Sequence, residues 1–211
     1  MFIGADMQTE ETVFERNYRN YLDQLKGVQV ESVASKLGAK IDGKVFMIPF
    51  FQNEYRVSYR NIIGPEGKRP DYDICVILSQ YILLCPNEDP EENDWLSFRD
   101  LKDSAPLINY FTNDVERPIA RFFAGKTNDL KKAGTMLGGY PPDLDVTYDM
   151  TMQFDALPRV PVIMLFNDSD EEFSSKCSVL FERRAENYLD AECIAMLGRQ
   201  LFVHLKKDGV V

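Results

Sequence analysis

The segment over residues 145–198 most constrains the fold, because three strand-like runs and an amphipathic helix follow one another there with little between them. In the first run, apolar side chains at every second position alternate with polar ones, from Val146 through Tyr148, Met150 and Met152 to Phe154. This period of two predicts a strand with one buried face.

Two more runs complete this predicted unit. Residues 160–166 are continuously apolar, which predicts a strand buried on both faces, with Pro161 near its first residue or at a bulge because proline cannot donate to a ladder. After a polar run, Cys177, Val179 and Phe181 alternate again. Three such strands in succession predict an antiparallel meander.

A helix is predicted over residues 190–207, with Asp190 as its N-cap and Lys206, Lys207 and Gly209 as C-terminal signals. Its apolar stripe consists of Ile194, Leu197, Leu201 and Leu205. We expect this helix to cover one face of the meander. Gly198 lies beside the stripe and is expected to let a strand approach closely.

The N-terminal half predicts two short helices and then a hairpin. Thr9 or Thr12 caps the first helix, and Gly38 ends the second. Residues 44–51 and 54–59 predict two strands with a tight turn between them, and Pro49 places the first strand toward an edge.

The middle of the chain predicts further helices. Residues 71–85 are apolar nearly all round, which predicts a central helix. An acidic loop follows Pro86, and Trp95, Phe98 and Leu101 are expected to return the chain to the core. Pro118 falls within a run of helical spacing, so a helix either starts near it or kinks there. One more short helix is predicted to end at residues 138–139.

Together these elements predict one α+β domain over residues 1–211, in which an antiparallel sheet, made of the meander and the N-terminal hairpin, packs against helices. The net charge of -10, from 34 acidic and 24 basic residues, argues against binding to nucleic acid or to an anionic membrane surface. No stretch approaches the ~20 apolar residues of a membrane span, so we expect a cytoplasmic protein. Four scattered cysteines without a C-x-x-C pair predict reduced, mostly buried thiols.

Two candidate sites stand out among the polar residues. The acidic turn carries Asp168, Asp170, Glu171 and Glu172, and clustered carboxylates suit calcium or magnesium, although the EF-hand spacing is absent and a charged turn explains the pattern as well. Arg159 suits a carboxylate or phosphate ligand, or it pairs with an acid such as Asp155. Arg183 and Arg184 admit the same two readings, and no metal site is assigned.

Catalytic motifs are missing. His204 is the only histidine, and eleven residues of helix hold it about 16 Å from Cys193, too far to act together. The sequence contains neither G-x-G-x-x-G nor G-x-S-x-G nor H-E-x-x-H. The glycines at 138–139 are read as a helix end rather than an anion site.

Several blocks of sequence form a further pattern: residues 95–101, 154–162, 165–173, 180–183, 188–192 and 196–198. In these blocks the chain resembles an uncharacterised prokaryotic family that is catalogued as a domain of unknown function. The resemblance implies a protein from an anaerobe, and some relatives carry an added iron-sulfur cluster domain of a kind also found in corrinoid proteins. The four scattered cysteines of this sequence depart from that closely spaced pattern, so we do not expect an iron-sulfur cluster of its own. The resemblance supplies no catalytic residues, and it leaves the cofactor unknown.

For function, the sequence favours a non-enzymatic binding or accessory module with a protein partner or a small molecule as its ligand, in the setting of redox or corrinoid chemistry that the resemblance implies. The alternatives are an enzyme that uses Arg159 and the acidic turn, or a divalent-metal-binding protein. A protein-docking module should expose one apolar patch, whereas an enzyme should have a pocket with convergent polar groups.

Overall fold

The computed structural model describes residues 12–208, and it confirms the predicted α+β class with antiparallel sheets packed against helices. The proposed cap at Thr9 and the end signal at Gly209 lie outside the described residues. The α-helices are α1 (Val13–Leu25), α2 (Val30–Leu37), α3 (Tyr72–Leu83), α4 (Ile108–Phe111), α5 (Arg117–Phe123), α6 (Thr127–Met136) and α7 (Ala191–Asp208). None of the helices in this part of the chain is long and apolar enough to cross a membrane.

Capping explains where α1 begins and where α2 ends. The Glu15 N–H donates to Thr12 Oγ1 (3.3 Å), which confirms Thr12 as the N-cap of α1. Gly38 closes α2 in the left-handed conformation with φ of 67°, which glycine adopts without steric cost.

The first sheet has the order β1-β2-β3-β4, with strands β1 (Lys40–Asp42), β2 (Val45–Phe50), β3 (Asn53–Val57) and β4 (Ile62–Ile63). The hairpin β2–β3 is confirmed, but β2 is an internal strand, so its predicted edge position is wrong. Strand β1 pairs only with residues 45–47. Pro49 therefore lies past the end of β1, where its missing N–H costs no ladder bond.

The second sheet contains the predicted meander and has the order β5-β8-β7-β6. Its strands are β5 (Trp95–Ser97), β6 (Met150–Leu157), β7 (Val160–Asn167) and β8 (Lys176–Glu182). Strand β6 begins at Met150, and Val146 and Tyr148, each 39% exposed, precede it. The predicted start at Val146 is wrong because β7 ends at Asn167, whose side chain accepts from Asp149 N (3.2 Å) where further pairing would be needed.

A bulge in β6 connects the two sheets. The pairing of β6 with β7 shifts between Asp155 and Leu157, opposite Pro161, which confirms the expected position of that proline. The bulge leaves the Ala156 carbonyl facing the first sheet, where it accepts from Phe51 N (2.9 Å).

Helix α3 is the central helix, as predicted, and Tyr81 on it joins three elements. Its buried hydroxyl donates to the Leu37 carbonyl at the end of α2 (2.8 Å) and accepts from Arg159 N at the start of β7 (3.1 Å). One phenol oxygen thus satisfies two main-chain groups that would otherwise be unpaired in the core.

Helix α7 buries its predicted stripe, since Ile194, Leu197, Leu201 and Leu205 are each at most 1% exposed. The residue that packs at Gly198 was predicted wrongly. A Cβ on Gly198 would lie 2.5 Å from Phe111 Cε2, so an aromatic ring from α4 occupies the space that we expected a strand to fill. The closest main-chain neighbours of α7 are likewise helices, chiefly α3 and α6.

Candidate functional site

The two sequence candidates, Arg159 and the acidic turn, lie at opposite ends of β7. Arg159 immediately precedes this strand and Asp168 immediately follows it. Nine residues of extended chain at ~3.3 Å each place them about 30 Å apart. One site therefore cannot contain both.

Arg159 is engaged by the protein itself. Its Nε donates to the Lys36 carbonyl (2.9 Å), and its Nη1 lies 3.5 Å from Asp89 Oδ2 in the acidic loop. The predicted pairing with an acid is confirmed, but the acid is Asp89; Asp155, the example that the sequence suggested, accepts from the Tyr140 hydroxyl (2.9 Å). Arg159 thus caps the C-terminal end of α2 and holds the acidic loop.

In the acidic turn, the carboxylates of Asp168 and Asp170 already accept hydrogen bonds from other groups of the protein. Asp168 accepts from Gly125 N (2.7 Å) and Thr127 Oγ1 (2.6 Å), and Asp170 accepts from Phe173 N (2.7 Å). Among residues 12–208, no three histidine, cysteine, aspartate or glutamate side chains are placed to hold a metal ion. The hydrogen bonds of Asp168 hold the loop between α5 and α6 against the end of β7.

The other charged candidates also have protein partners. Arg183 binds Asp94 with its Nε and Nη2, the closest contact being 2.7 Å, and Arg184 pairs with Glu182. The ring of His204 lies 5.2 Å from that of Phe51, measured between centroids. None of Arg183, Arg184 and His204 lines the cleft that is described next.

A cleft that the sequence did not reveal brings together two charged groups of opposite sign that form no ion pair among residues 12–208. Its volume is about 260 Å³, and it lies between β5 with the turn that follows it, β8, and the helical segment that includes α4. Its apolar wall is formed by Ile108 and by the rings of Phe98 and Phe111, which stack with centroids 4.2 Å apart. Because both phenylalanines are buried, this wall is fixed by the core.

Two opposite charges line this cleft, Arg99 and Glu116. Among the described residues, neither forms an ion pair. Glu116 Oε1 accepts one hydrogen bond, from Val179 N (3.3 Å). Strand β5 pairs only with residues 180–182, so this carboxyl satisfies a strand N–H that lies past the end of β5.

Three hydroxyl groups complete the polar lining. Ser97 Oγ donates to Asp100, whereas the hydroxyls of Thr112 and Ser178 make no hydrogen bond within residues 12–208. The cleft therefore offers a carboxyl, a guanidinium and two uncommitted hydroxyls beside an aromatic wall. Convergent polar groups on an apolar wall are typical of sites for small molecules.

Burial raises the pKa of the Glu116 carboxyl, because it disfavours the charged form. The hydrogen bond from Val179 and the positive charge of Arg99 lower the pKa and only partly offset this effect. A carboxyl with a raised pKa in a cleft is a common feature of functional sites.

The position of Glu116 depends on an irregular turn in its helix. Residues Thr112–Glu116 form a π-helical turn, in which the Arg117 N–H donates to the Thr112 carbonyl. Pro118 follows directly and cannot donate to the carbonyl of residue 114, so the wider turn relieves the mismatch. The alternatives of a start or a kink at Pro118 thus both hold in part, since α5 begins at Arg117 beside an irregular turn.

Comparison with known proteins gives one match. Residues 29–203 match the model of a family described as "Domain of unknown function (DUF3786)", and this range includes every residue of the cleft. No curated protein matches the chain, and no solved structure does.

Proposed function

We propose a function for this chain from the geometry of its cleft, because the chain belongs to the DUF3786 family and the function of that family is unknown. The protein is a binding or accessory module that holds a small molecule in the cleft of Glu116 and Arg99. The observation that carries this proposal is the presence, in one cleft, of two opposite charges without ion-pair partners among the described residues.

The distribution of exposed apolar side chains supports a small molecule over a protein as the ligand. Within residues 12–208, the large ones that are more than half exposed belong to three segments far apart in sequence: Val13 and Phe14 on α1, Met136 on α6, and Phe173 in the acidic turn. A docking surface would be expected to gather such side chains into one patch.

An enzyme is the second candidate, and the raised pKa of Glu116 favours it. A carboxyl that keeps its proton closer to neutral pH can act as a general acid. Such a reaction would take place in the cleft and would not use Arg159 or the acidic turn. Turnover of the bound molecule, and its loss in Glu116→Gln, would separate an enzyme from a binding module.

The cellular setting belongs to the same proposal. We place the protein in the cytoplasm of an anaerobic prokaryote, beside redox or corrinoid chemistry, on the strength of the sequence resemblance. All four cysteines are free thiols and three are buried, which is compatible with a reducing compartment.

The first experiment is native mass spectrometry, with an absorption spectrum, on protein purified anaerobically from its own host. We expect a small molecule to be retained by the wild type and lost from Ser178→Phe, in which the new ring fills the cleft. The matched control is Ser174→Phe, an exposed serine in the loop before β8, which should retain the molecule. A molecule held equally by Ser178→Phe would place the site elsewhere.

A further inference from the structure

We propose that the ligand of the cleft is a small zwitterion of the amino-acid type, whose ammonium group pairs with Glu116 and whose carboxylate pairs with Arg99. This inference rests on the proposed function, because it assigns the ligand class to that same cleft. It begins from the pairing of arginines elsewhere in the molecule.

Six arginines among residues 12–208 are neutralised by acidic side chains. Ion pairs are formed by Arg56, Arg69, Arg159, Arg183, Arg184 and Arg199. Arg99 differs, since it shares a cleft with Glu116 and yet forms no ion pair within residues 12–208. Arg99 and Glu116 line the same cleft, but no salt bridge joins them across it.

The charges of the cleft select against simpler ligands. A cation would be attracted by Glu116 but repelled by Arg99, and an anion would meet the reverse. A ligand that carries both charges satisfies both groups, and each pair is then a charge-assisted hydrogen bond in a partly desolvated place. The free hydroxyls of Thr112 and Ser178 can orient its polar atoms.

The size and wall of the cleft limit the remainder of the ligand. Its volume of about 260 Å³ lies below the range of roughly 300–1,000 Å³ that is usual for drug-sized ligands. A free amino acid fits this scale better than a nucleotide does. The stacked rings of Phe98 and Phe111 offer an apolar surface, so we expect an apolar side chain on the ligand.

The test is a thermal-shift screen of the full chain against the proteinogenic amino acids at millimolar concentration, followed by calorimetry on each hit. For each hit, the corresponding amine without the carboxylate and the corresponding acid without the ammonium are titrated as matched probes. We expect an amino acid to bind, and each of the two probes to bind at least about tenfold more weakly.

Two variants assign the charges. Glu116→Gln keeps an acceptor for Val179 N, and Arg99 is exposed, so both Glu116→Gln and Arg99→Gln should fold. Arg99→Gln should weaken binding of the amino acid by about tenfold or more without weakening binding of the amine, which it relieves of a repulsion. Glu116→Gln should likewise weaken binding of the amino acid without weakening binding of the acid. The control is Arg121→Gln, which alters an exposed arginine outside the cleft and should bind as the wild type does.

The outcomes separate this inference from the proposed function. An amine that binds as tightly as its amino acid, with no effect of Arg99→Gln, overturns the zwitterion and leaves a binding cleft. If no amino acid binds, the zwitterion is overturned as well, and the proposed function then depends on the molecule retained from the host. Amino-acid binding that survives both variants places the site elsewhere and also overturns the inference.

Discussion

At the scale of the residue, burial and hydrogen bonding shift the pKa values of carboxyl groups in opposite directions. Burial raises the pKa of Glu116, whereas hydrogen bonds from Thr127 and Gly125 lower that of Asp168. A raised carboxyl pKa means that folding favours the protonated form, and a lowered one that folding favours the charged form. The two residues should therefore affect stability at different pH.

Replacing Glu116 by Gln should stabilise the protein at neutral pH. The folded-state pKa of Glu116 is above its ordinary value of 4.5, so its stabilising contribution is complete below that value and is lost as pH rises through the folded pKa. Glutamine cannot ionise, so the variant should have the higher thermal midpoint at pH 7. Arg99 acts on this carboxyl, and the carboxyl adds to the effect of burial in raising the pKa of the Cys177 thiol; both residues are present in both proteins.

The check is to record melting curves of both proteins at neutral pH and at about pH 4. At the lower pH a carboxyl with an ordinary pKa is mostly protonated, so the two midpoints should converge. A midpoint difference that does not change with pH would show that packing, and not ionisation, separates the two proteins.

Replacing Asp168 by Ala should destabilise the protein by about 1 kcal/mol at neutral pH, because Gly125 N and Thr127 Oγ1 lose their acceptor. The lowered pKa of Asp168 means that this difference is present above the ordinary carboxyl pKa and is lost as pH falls through the folded one. Glu171→Ala, in the same turn and without a hydrogen bond among the described residues, is the control and should leave the denaturation midpoint unchanged. Equal losses in both variants would contradict the role of Asp168.

Residue types alone identified Arg159 and Asp168 as polar groups beside a strand, but not their partners. Asp89, which pairs with Arg159, lies in the acidic loop, and Thr127, which binds Asp168, starts α6. These partners are distant in sequence, and no local pattern connects them. Glu116 carried no signal of its own beyond its position two residues before Pro118.

At the scale of the element, long periodic segments were predicted well and short ones were not. Helices α3 and α7 and the strands of the meander carry enough residues for a period to show. Strands β1, β4 and β5 have three, two and three residues. Their place in a sheet is fixed by the neighbouring strand, so their sequences could not reveal them.

In α7, Gly198→Ala should destabilise the protein although alanine favours helix by about 1 kcal/mol over glycine. The added methyl group would lie 2.5 Å from Phe111 Cε2, and overpacking of this kind costs about 1–3 kcal/mol. Chemical denaturation measures the difference. The double variant with Phe111→Leu makes room for the methyl group, so Gly198→Ala should cost less in that background.

Leu197→Ala serves as the companion measurement on the buried face of α7. It should cost about 2–5 kcal/mol, since Leu197 is fully buried. An unchanged midpoint would show that this face of α7 is not part of the core.

At the scale of the whole molecule, the fold class followed from the sequence, but the cleft did not. Its lining comes from residues 97–99, 108–116 and 178, three segments that only the assembled fold brings together. The π-helical turn at 112–116 aims Glu116 at β8, and a wide turn leaves no periodic signature. Sequence patterns report on burial along one element, whereas this cleft depends on how three elements meet.

The burial of thiols across the molecule predicts their order of reaction. Cys75, Cys177 and Cys193 are buried and Cys85 is half-buried. Burial raises the pKa of the Cys75 thiol to about 12, so little thiolate forms there at neutral pH. A disulfide reagent should label Cys85 first in the native protein and the other three only on unfolding. Cys85→Ser should abolish this first labelling of the native protein. Labelling of the native variant that persists would show that a buried thiol is accessible.

The hydroxyl of Tyr81 has a consequence for the rate at which the protein unfolds. Its two bonds span 44 and 78 residues of chain, so both form only after α2, α3 and β7 have met. We expect bonds of such long range to form after the rate-limiting step of folding, because the entropy of closing the chain must be lost before they can contribute. Tyr81→Phe leaves Leu37 O and Arg159 N unpaired at a cost of about 1–3 kcal/mol. Stopped-flow kinetics should find this cost in faster unfolding, with the refolding rate nearly unchanged. A single oxygen atom would then set how long the native state persists, while the speed of its formation is decided elsewhere.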